Sequence, residues 1–262
     1  DYNGSTTLTS LTIYRTGGGN SADLRGLKIN GKLLVDNGVS VPNVPSIAST
    51  VRANPSAGFS IVSYTNGDGT VGHGLSAPPE FIITKRRDAV YTWSVYSKPT
   101  TKDAYLALNS SQASSAVSGM WGAAEPTSSV FGTTFYVAPV GSSMIAYCFA
   151  PVAGYSAMGS YIGNGSADGV FIYTGFTPSW LLFKRHDAGS DWTIYDTARD
   201  PHNVAGNKLE PNTTDAESAE GAVVDILSNG FKFRRGSYEN GGNDQYIYMA
   251  FASNPFKTAR AR

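Results

Sequence analysis

Gly58-Phe59-Ser60-Ile61-Val62-Ser63-Tyr64 returns 96 residues later as Gly154-Tyr155-Ser156-Ala157-Met158-Gly159-Ser160-Tyr161. A glycine-rich turn follows each, Asn66-Gly67-Asp68-Gly69 in one and Gly163-Asn164-Gly165 in the other. Pro79-Glu80-Phe81-Ile82-Ile83-Thr84-Lys85-Arg86-Arg87-Asp88 then matches Pro178-Ser179-Trp180-Leu181-Leu182-Phe183-Lys184-Arg185-His186-Asp187. Trp93-Ser94-Val95-Tyr96 matches Trp192-Thr193-Ile194-Tyr195, and Ile145 to Ala150 matches Ile247 to Ala252. The offset drifts only from 96 at Gly58 to 99 at Trp93 and 102 at Phe149, so the insertions are short and belong in turns. A solenoid repeats every roughly 20–50 residues, so a unit of this length reads as a small domain of its own.

Within a copy the runs read as strands. Phe59 to Tyr64 and Tyr91 to Tyr96 alternate, burying one face and wetting the other. Phe81-Ile82-Ile83 and Leu181-Leu182-Phe183 are unbroken apolar runs, as in a central strand covered on both faces. About seven or eight strands per copy, separated by turn signals, predict a sandwich of two antiparallel sheets. Ser111 to Ala124 is the nearest approach to a helix, but its Ser and Gly content predicts a loop with a short turn. Ahead of the copies, Leu8 to Tyr14 reads as a strand and Leu27 to Val35 as a hairpin with Asn30-Gly31 at its tip, a pair suited to a type I′ turn. The expected fold is all-β. It has an N-terminal β segment over 1–40 that completes a sheet upstream, in a neighbour or in the first copy. A Pro-containing linker over 41–55 follows, then sandwich modules over 56–151 and 152–256 and a basic tail over 257–262.

Composition narrows the function classes. The 262 residues carry 20 basic and 20 acidic side chains, and zero formal charge removes the long-range field on which nucleic-acid binding depends. Charged residues are 15% and aromatics 12%, with 29 glycines, which describes short strands and many turns rather than disorder. No run approaches the roughly 20 apolar residues of a membrane-spanning helix, so no membrane insertion is expected. One cysteine, Cys148, allows neither an intrachain disulfide nor a cysteine-built zinc site. No basic-then-apolar leader is visible, and a first residue of Asp1 leads us to expect a processed chain or the ordered part of a longer one.

The polar residues offer few chemical motifs. His73, His186 and His202 lack metal-ligand spacing; His73, between two glycines, reads as a hydrogen-bonded turn residue, and His186 as a surface residue replacing Arg87. The repeated Lys85-Arg86-Arg87-Asp88 and Lys184-Arg185-His186-Asp187 read as ion-paired strand ends, with a basic patch for anionic sugars as the competing reading. Asp187, Asp191, Asp196 and Asp200 could supply the two carboxylates of a glycosidase, but aspartates near turns more often bond to the backbone. Asn66 to Gly69 and Asn164 to Asp168 have calcium-loop flavour without the full ligand spacing, and turns explain them more simply. There is no nucleophile elbow and no phosphate loop. No catalytic residue, metal or cofactor is expected.

Gly58 to Tyr64, Val71-Gly72-His73-Gly74-Leu75 and Phe81 to Arg86 resemble a module of bacteriophage tail-fibre-like structural proteins, especially those of marine phages and cyanophages. Leu27 to Asp36, Gly163 to Gly169, Tyr195 to Pro201 and Met249 to Phe256 are similar to the same family, so the resemblance covers nearly the whole chain. It implies a non-enzymatic virion component, extracellular, at the C-terminal end of a larger fibre or tail protein. It brings no defined binding residues. Its implied partners are itself, as a homotrimer, other virion proteins and a host cell-surface glycan. Alternatives are a decoration or adaptor protein that touches no receptor, and a polysaccharide-degrading fibre domain. Trp93, Trp192, Tyr96 and Tyr195 recur in both copies and read as core. Trp121, Tyr161, Tyr173 and Tyr238 lie nearer turns, where exposed rings either stack on sugar faces or bury at a subunit seam; given trimerisation, the seam is expected.

Overall fold

The computed structural model describes residues 44–252, together with the backbone of two short upstream strands. Those strands, β1 (Leu27–Ile29) and β2 (Lys32–Leu34), pair antiparallel with Leu27 opposite Leu34 and belong to a separate unit ending at Pro42. The hairpin expected there is present; its Asn30-Gly31 tip, the Leu8 to Tyr14 strand and the 257–262 tail lie outside the described residues.

The first copy contains β3 (Ser49–Asn54), β4 (Phe59–Thr65), β5 (Gly69–Gly72), β6 (Phe81–Arg86), β7 (Trp93–Ser97), β8 (Ala104–Ala107), β9 (Ser115–Ala116), β10 (Val130–Thr133) and β11 (Ser143–Phe149). The second contains β12 (Ser156–Ile162), β13 (Phe171–Tyr173), β14 (Pro178–Arg185), β15 (Trp192–Asp196), β16 (Ala205–Lys208), β17 (Ser218–Leu227), β18 (Gly230–Phe233) and β19 (Gln245–Ala252). The protein is all-β, and every named strand pair is antiparallel. The repeat is topological as well as sequential: β4-β11-β6-β7 in the first copy has the same strand order as β12-β19-β14-β15 in the second. The opposing pairs β5-β10 and β13-β18 correspond too. The glycine that opens each copy is left-handed, φ 63° at Gly58 and 77° at Gly154. At Gly58 an added Cβ would stand 2.1 Å from the Ala150 carbonyl oxygen, so only glycine lets the chain enter β4 here.

Two features differ from the sequence expectation. The stretch read as a linker contains β3, the edge strand of the seven-stranded sheet β3-β4-β11-β6-β7-β8-β9. Its prolines, Pro42, Pro45 and Pro55, flank the strand rather than interrupt it, and an edge strand largely exposed shows little apolar periodicity. The two copies also fall in one compact unit instead of standing as separate domains. Each sandwich has its own core, one around Val62, Ile82, Tyr96 and Trp121, the other around Leu181, Phe183, Tyr195 and Phe231. A third core lies between them, where Phe81, Val95 and Leu106 of the first copy meet Leu182, Trp192, Ile247 and Met249 of the second. This explains the unbroken apolar runs: Ile82 and Leu181 face their own sandwich, while Phe81 and Leu182 face the other copy. Phe81 meets Trp192 edge-on at 6.3 Å, and Phe149 meets its counterpart Phe251 at 6.1 Å. The Trp192 indole N–H donates to the Ala107 carbonyl across the seam at 2.9 Å. The Ser111–Ala124 segment forms the expected loop, broken only by the two-residue β9.

Candidate functional site

The polar side chains singled out by sequence fall into two groups, those consumed by the architecture and those gathered around a cleft. His73 belongs to the first. It is fully buried, its Nδ1 accepts from the Leu75 N–H at 3.1 Å, and its Nε2 therefore carries the proton and donates to the Thr127 carbonyl at 3.0 Å. Desolvation pushes its pKa below the ordinary value. It is hydrogen-bonded as expected, but it is buried just past the end of β5 and not on a turn. Asn66 is similarly spent: its amide donates to the Thr134 and Ala138 carbonyls and its oxygen accepts from Thr133 Oγ1 at 2.6 Å. Asp68 accepts from the Phe135 N–H at 2.8 Å. Asn164 accepts from the Ser166 N–H and donates to the Asp168 carbonyl, so its loop is a self-bonded turn, whereas the Asn66 loop is tied to residues 133–138. No group of three potential metal ligands occurs among the described residues. The lone thiol of Cys148 is buried and pushed up to about 12 by desolvation.

The two Lys-Arg-x-Asp motifs have matching geometry. Arg86 bonds Asp88 at 2.6 Å and Arg185 bonds Asp187 at 2.8 Å, two residues on in each case. Lys85 donates to the Tyr91 carbonyl and Lys184 to the Ser190 carbonyl, each six residues on, so both lysines tie down the connection to the next strand. The strand-end reading describes these contacts. The copies differ in environment. Lys184 is buried, also donates to the Ser111 carbonyl of the first copy at 3.1 Å, and is lowered to about 8 by desolvation. His186 is a seam residue rather than a surface one: it is half-buried, and its carbonyl accepts from both the N–H and the hydroxyl of Ser114. His202 is exposed.

Of the four aspartates, Asp187 pairs with Arg185, Asp196 accepts from the Ala198 and Arg199 N–H groups, and Asp200 accepts from those of Gly206 and Asn207. These three hold turns. Asp191 alone lines a cleft, where it accepts from the Asn212 amide at 2.6 Å. The aromatic expectations divide as well. Tyr96, Tyr195 and Trp192 are buried as expected, but Trp93 is only half-buried, its ring covered by Lys85 at 5.7 Å. Trp121 is buried in the first core rather than at a seam. Tyr161 packs into the second core, stacked 4.9 Å from Tyr246. Tyr173 and Tyr238 are exposed, at 68% and 66%.

The cleft has a volume of about 390 Å³ and is lined from the second copy, with Phe183 and Lys184 among its buried walls and Tyr238 exposed at its margin. The charges that line it and those just behind them are arranged in pairs. Lys208 bonds Glu210 at 2.8 Å and Glu220 at 3.3 Å. Arg235 bonds Glu239 at 2.5 Å and Glu220 at 3.2 Å, and Arg185 bonds Asp244 at 2.7 Å. Tyr195 donates to Glu239 at 3.0 Å, as its counterpart Tyr96 donates to Glu125 at 2.7 Å. Sequence reasoning missed Glu239 because it follows Tyr195 by 44 residues whereas Glu125 follows Tyr96 by 29, so no alignment of the copies brings them together. Asn240, also buried, is fixed by its amide to the Asn164 side chain and to the Ser166 and Arg235 carbonyls. With Glu239 and Asn240 anchored inward, Tyr238 is held at φ 52°, a left-handed conformation costly for a residue with a Cβ. Lys208 and the Arg235 guanidinium lie over its ring, at 5.8 and 4.7 Å from the centroid.

The first copy supports this cleft without lining it. The Ser111 carbonyl accepts from both Lys184 Nζ and the Ser190 N–H, at 3.1 and 2.8 Å. A unit of chemistry and architecture therefore spans both copies. The chain belongs to the family described as a domain of unknown function (DUF7483). The family model matches residues 35–255, so it takes in both copies together with β3 as one domain. A search of curated proteins and a search of solved structures each return no match.

Proposed function

We propose that this protein is a non-enzymatic phage virion component, fibre- or tail-associated, that contributes to attachment at a host cell surface. The observation that best supports the reading is the fusion of two sandwiches through a shared apolar core, with aromatic side chains left outside it. Phe135, Tyr136, Phe171, Tyr173 and Tyr238 are all exposed, and Phe135 and Tyr136 pack against one another at 4.0 Å. A rigid β body with aromatic groups on its rim spends little conformational entropy in making a contact. Several copies on one particle, as in a homotrimer, would convert weak single contacts into firm attachment through effective concentration. The use of Asp187, Asp196 and Asp200 as turn-holding groups supports attachment over polysaccharide cleavage.

The test is adsorption of the purified chain to bacterial cells, as the free chain and as a trimer imposed by a fused coiled coil. The expected result is saturable adsorption that strengthens by about 10²-fold or more on trimerisation and blocks phage infection. Absence of adsorption by both forms across susceptible strains, with antibody to the chain still labelling virions, would replace attachment with a decorating role.

A further inference from the structure

The cleft of the second copy combines a size, a charge balance and an aromatic platform that together select a ligand class. Its volume of about 390 Å³ lies in the roughly 300–1,000 Å³ range of small-ligand sites. The cations that line it are answered by neighbouring carboxylates, Lys208 by Glu210 and Glu220 and Arg185 by Asp187 and Asp244, and Arg235 behind the lining is answered by Glu239 and Glu220. Lys184 has two backbone carbonyls and the nearby Asp191. A strongly anionic ligand would have to compete with carboxylates already in place, and a strongly cationic one with the guanidinium and ammonium groups. An uncharged ligand with many hydroxyls meets neither obstacle. A carboxylate offers about four lone-pair sites and a guanidinium five N–H donors, so pairing one with the other leaves fixed acceptors and donors unspent.

Tyr238 supplies what such a ligand needs on its other side. It is 66% exposed while its neighbours Glu239 and Asn240 are buried, its backbone is left-handed, and Lys208 and Arg235 lie over its ring, so the side of the ring that they leave uncovered is the one open to a ligand. A strained, outward-held aromatic at the margin of a cleft is the kind of outlier that points to function. A pyranose ring has an apolar C–H face for such a platform and a rim of hydroxyls for the charged pairs.

We propose that this cleft binds a neutral hexopyranose unit of a polysaccharide, with Tyr238 stacking on the sugar face and Asp191, Glu210 and Lys208 engaging its hydroxyls. The proposal deepens the attachment reading by naming the ligand class and its site. It also stands apart in the test, because sugar binding by the isolated chain requires no virion.

The experiment is titration of the purified full chain with neutral oligosaccharides of glucose, galactose and mannose and with acidic oligosaccharides of glucuronate and sialate. It is repeated on Tyr238→Ala, Tyr238→Phe and Tyr173→Ala, each checked for wild-type thermal unfolding. At least one neutral series is expected to bind, about tenfold or more weaker in Tyr238→Ala and little changed in Tyr238→Phe and Tyr173→Ala. Tyr173→Ala serves as the control because its ring is equally exposed but does not line the cleft. Binding that survives Tyr238→Ala overturns the site. Binding confined to acidic sugars, or to none, overturns the ligand class. Adsorption of the chain to cells alongside either failure would leave the attachment reading intact, whereas sugar binding without adsorption would count against attachment alone.

Discussion

Equivalent residues of the two copies have diverged where they meet. Trp93 and Trp192 occupy the same place in the repeat, and each backbone N–H is capped by an asparagine side chain, Asn109 or Asn212. Trp192 is buried at the seam against Phe81 and bonded to Ala107, while Trp93 is half-buried under Lys85. Lys85 makes its bond within its own copy; Lys184 makes the same bond and a second one into the other copy. The repeat supplies two related surfaces, and packing them together buries Trp192 and Lys184 more deeply than their counterparts Trp93 and Lys85. The contrast teaches that residue type and repeat position fix a local hydrogen-bond pattern, while burial and energetic weight come from which neighbour covers it.

Substitutions at paired positions would break or sharpen this contrast. The largest difference is expected at the tryptophans. Trp192→Ala should cost about 3–5 kcal/mol, read from the denaturant midpoint, because it removes a fully buried ring, leaves a cavity and takes away the indole bond to the Ala107 carbonyl across the seam. Trp93→Ala should cost less than half as much. Equal losses would mean that the seam is not the better-packed environment. Next come the lysines: Lys184→Met should cost about 1–3 kcal/mol by orphaning the Ser190 carbonyl and removing one of the two donors to the Ser111 carbonyl, and Lys85→Met distinctly less.

Titration distinguishes the copies in a different way. Desolvation lowers the pKa of His73 in the first copy and of His186 at the seam. A histidine whose folded pKa lies below its unfolded value of about 6.5 binds its proton more readily when unfolded, so stability is present above that pH and lost as pH falls through it. Urea midpoints measured from pH 8 to pH 5 should therefore fall. His186→Asn should remove part of the slope with little loss at pH 8, whereas His73→Asn should lower the midpoint at every pH, since it breaks two buried hydrogen bonds. A flat profile in the parent chain would contradict neutral burial of these imidazoles. The smallest contrast is between the strand-end arginines. Arg86→Ala removes one exposed ion pair and should leave the midpoint unchanged within error, while Arg185→Ala also frees Asp244 at the cleft and should give a small, reproducible loss.

Much of the architecture was legible because it rests on period and spacing. The alternation in Phe59 to Tyr64 became the alternating burial of β4, and the matched segments became strands in the same order in both sheets. The unbroken runs Phe81 to Ile83 and Leu181 to Phe183 announced two covered faces, but nothing in either run says what covers the second face; that depends on residues about 100 positions away. β3 escaped notice because a mostly exposed edge strand carries almost no apolar signal between its flanking prolines. At the cleft, Tyr238 and Asp191 were visible as residue types near turns, and the strand-end motif contained Lys184. Glu239 and Glu210 were not, because they reach the cleft from loops whose lengths differ between the copies.

The central claim is that the two copies form one cooperative body and that the first copy buttresses the cleft of the second. Scanning calorimetry of the full chain tests this most directly. One transition carrying the heat of both sandwiches, with calorimetric and van't Hoff enthalpies equal, is the expected result. Two separated transitions of comparable enthalpy would show that each sandwich melts on its own, and would contradict the account.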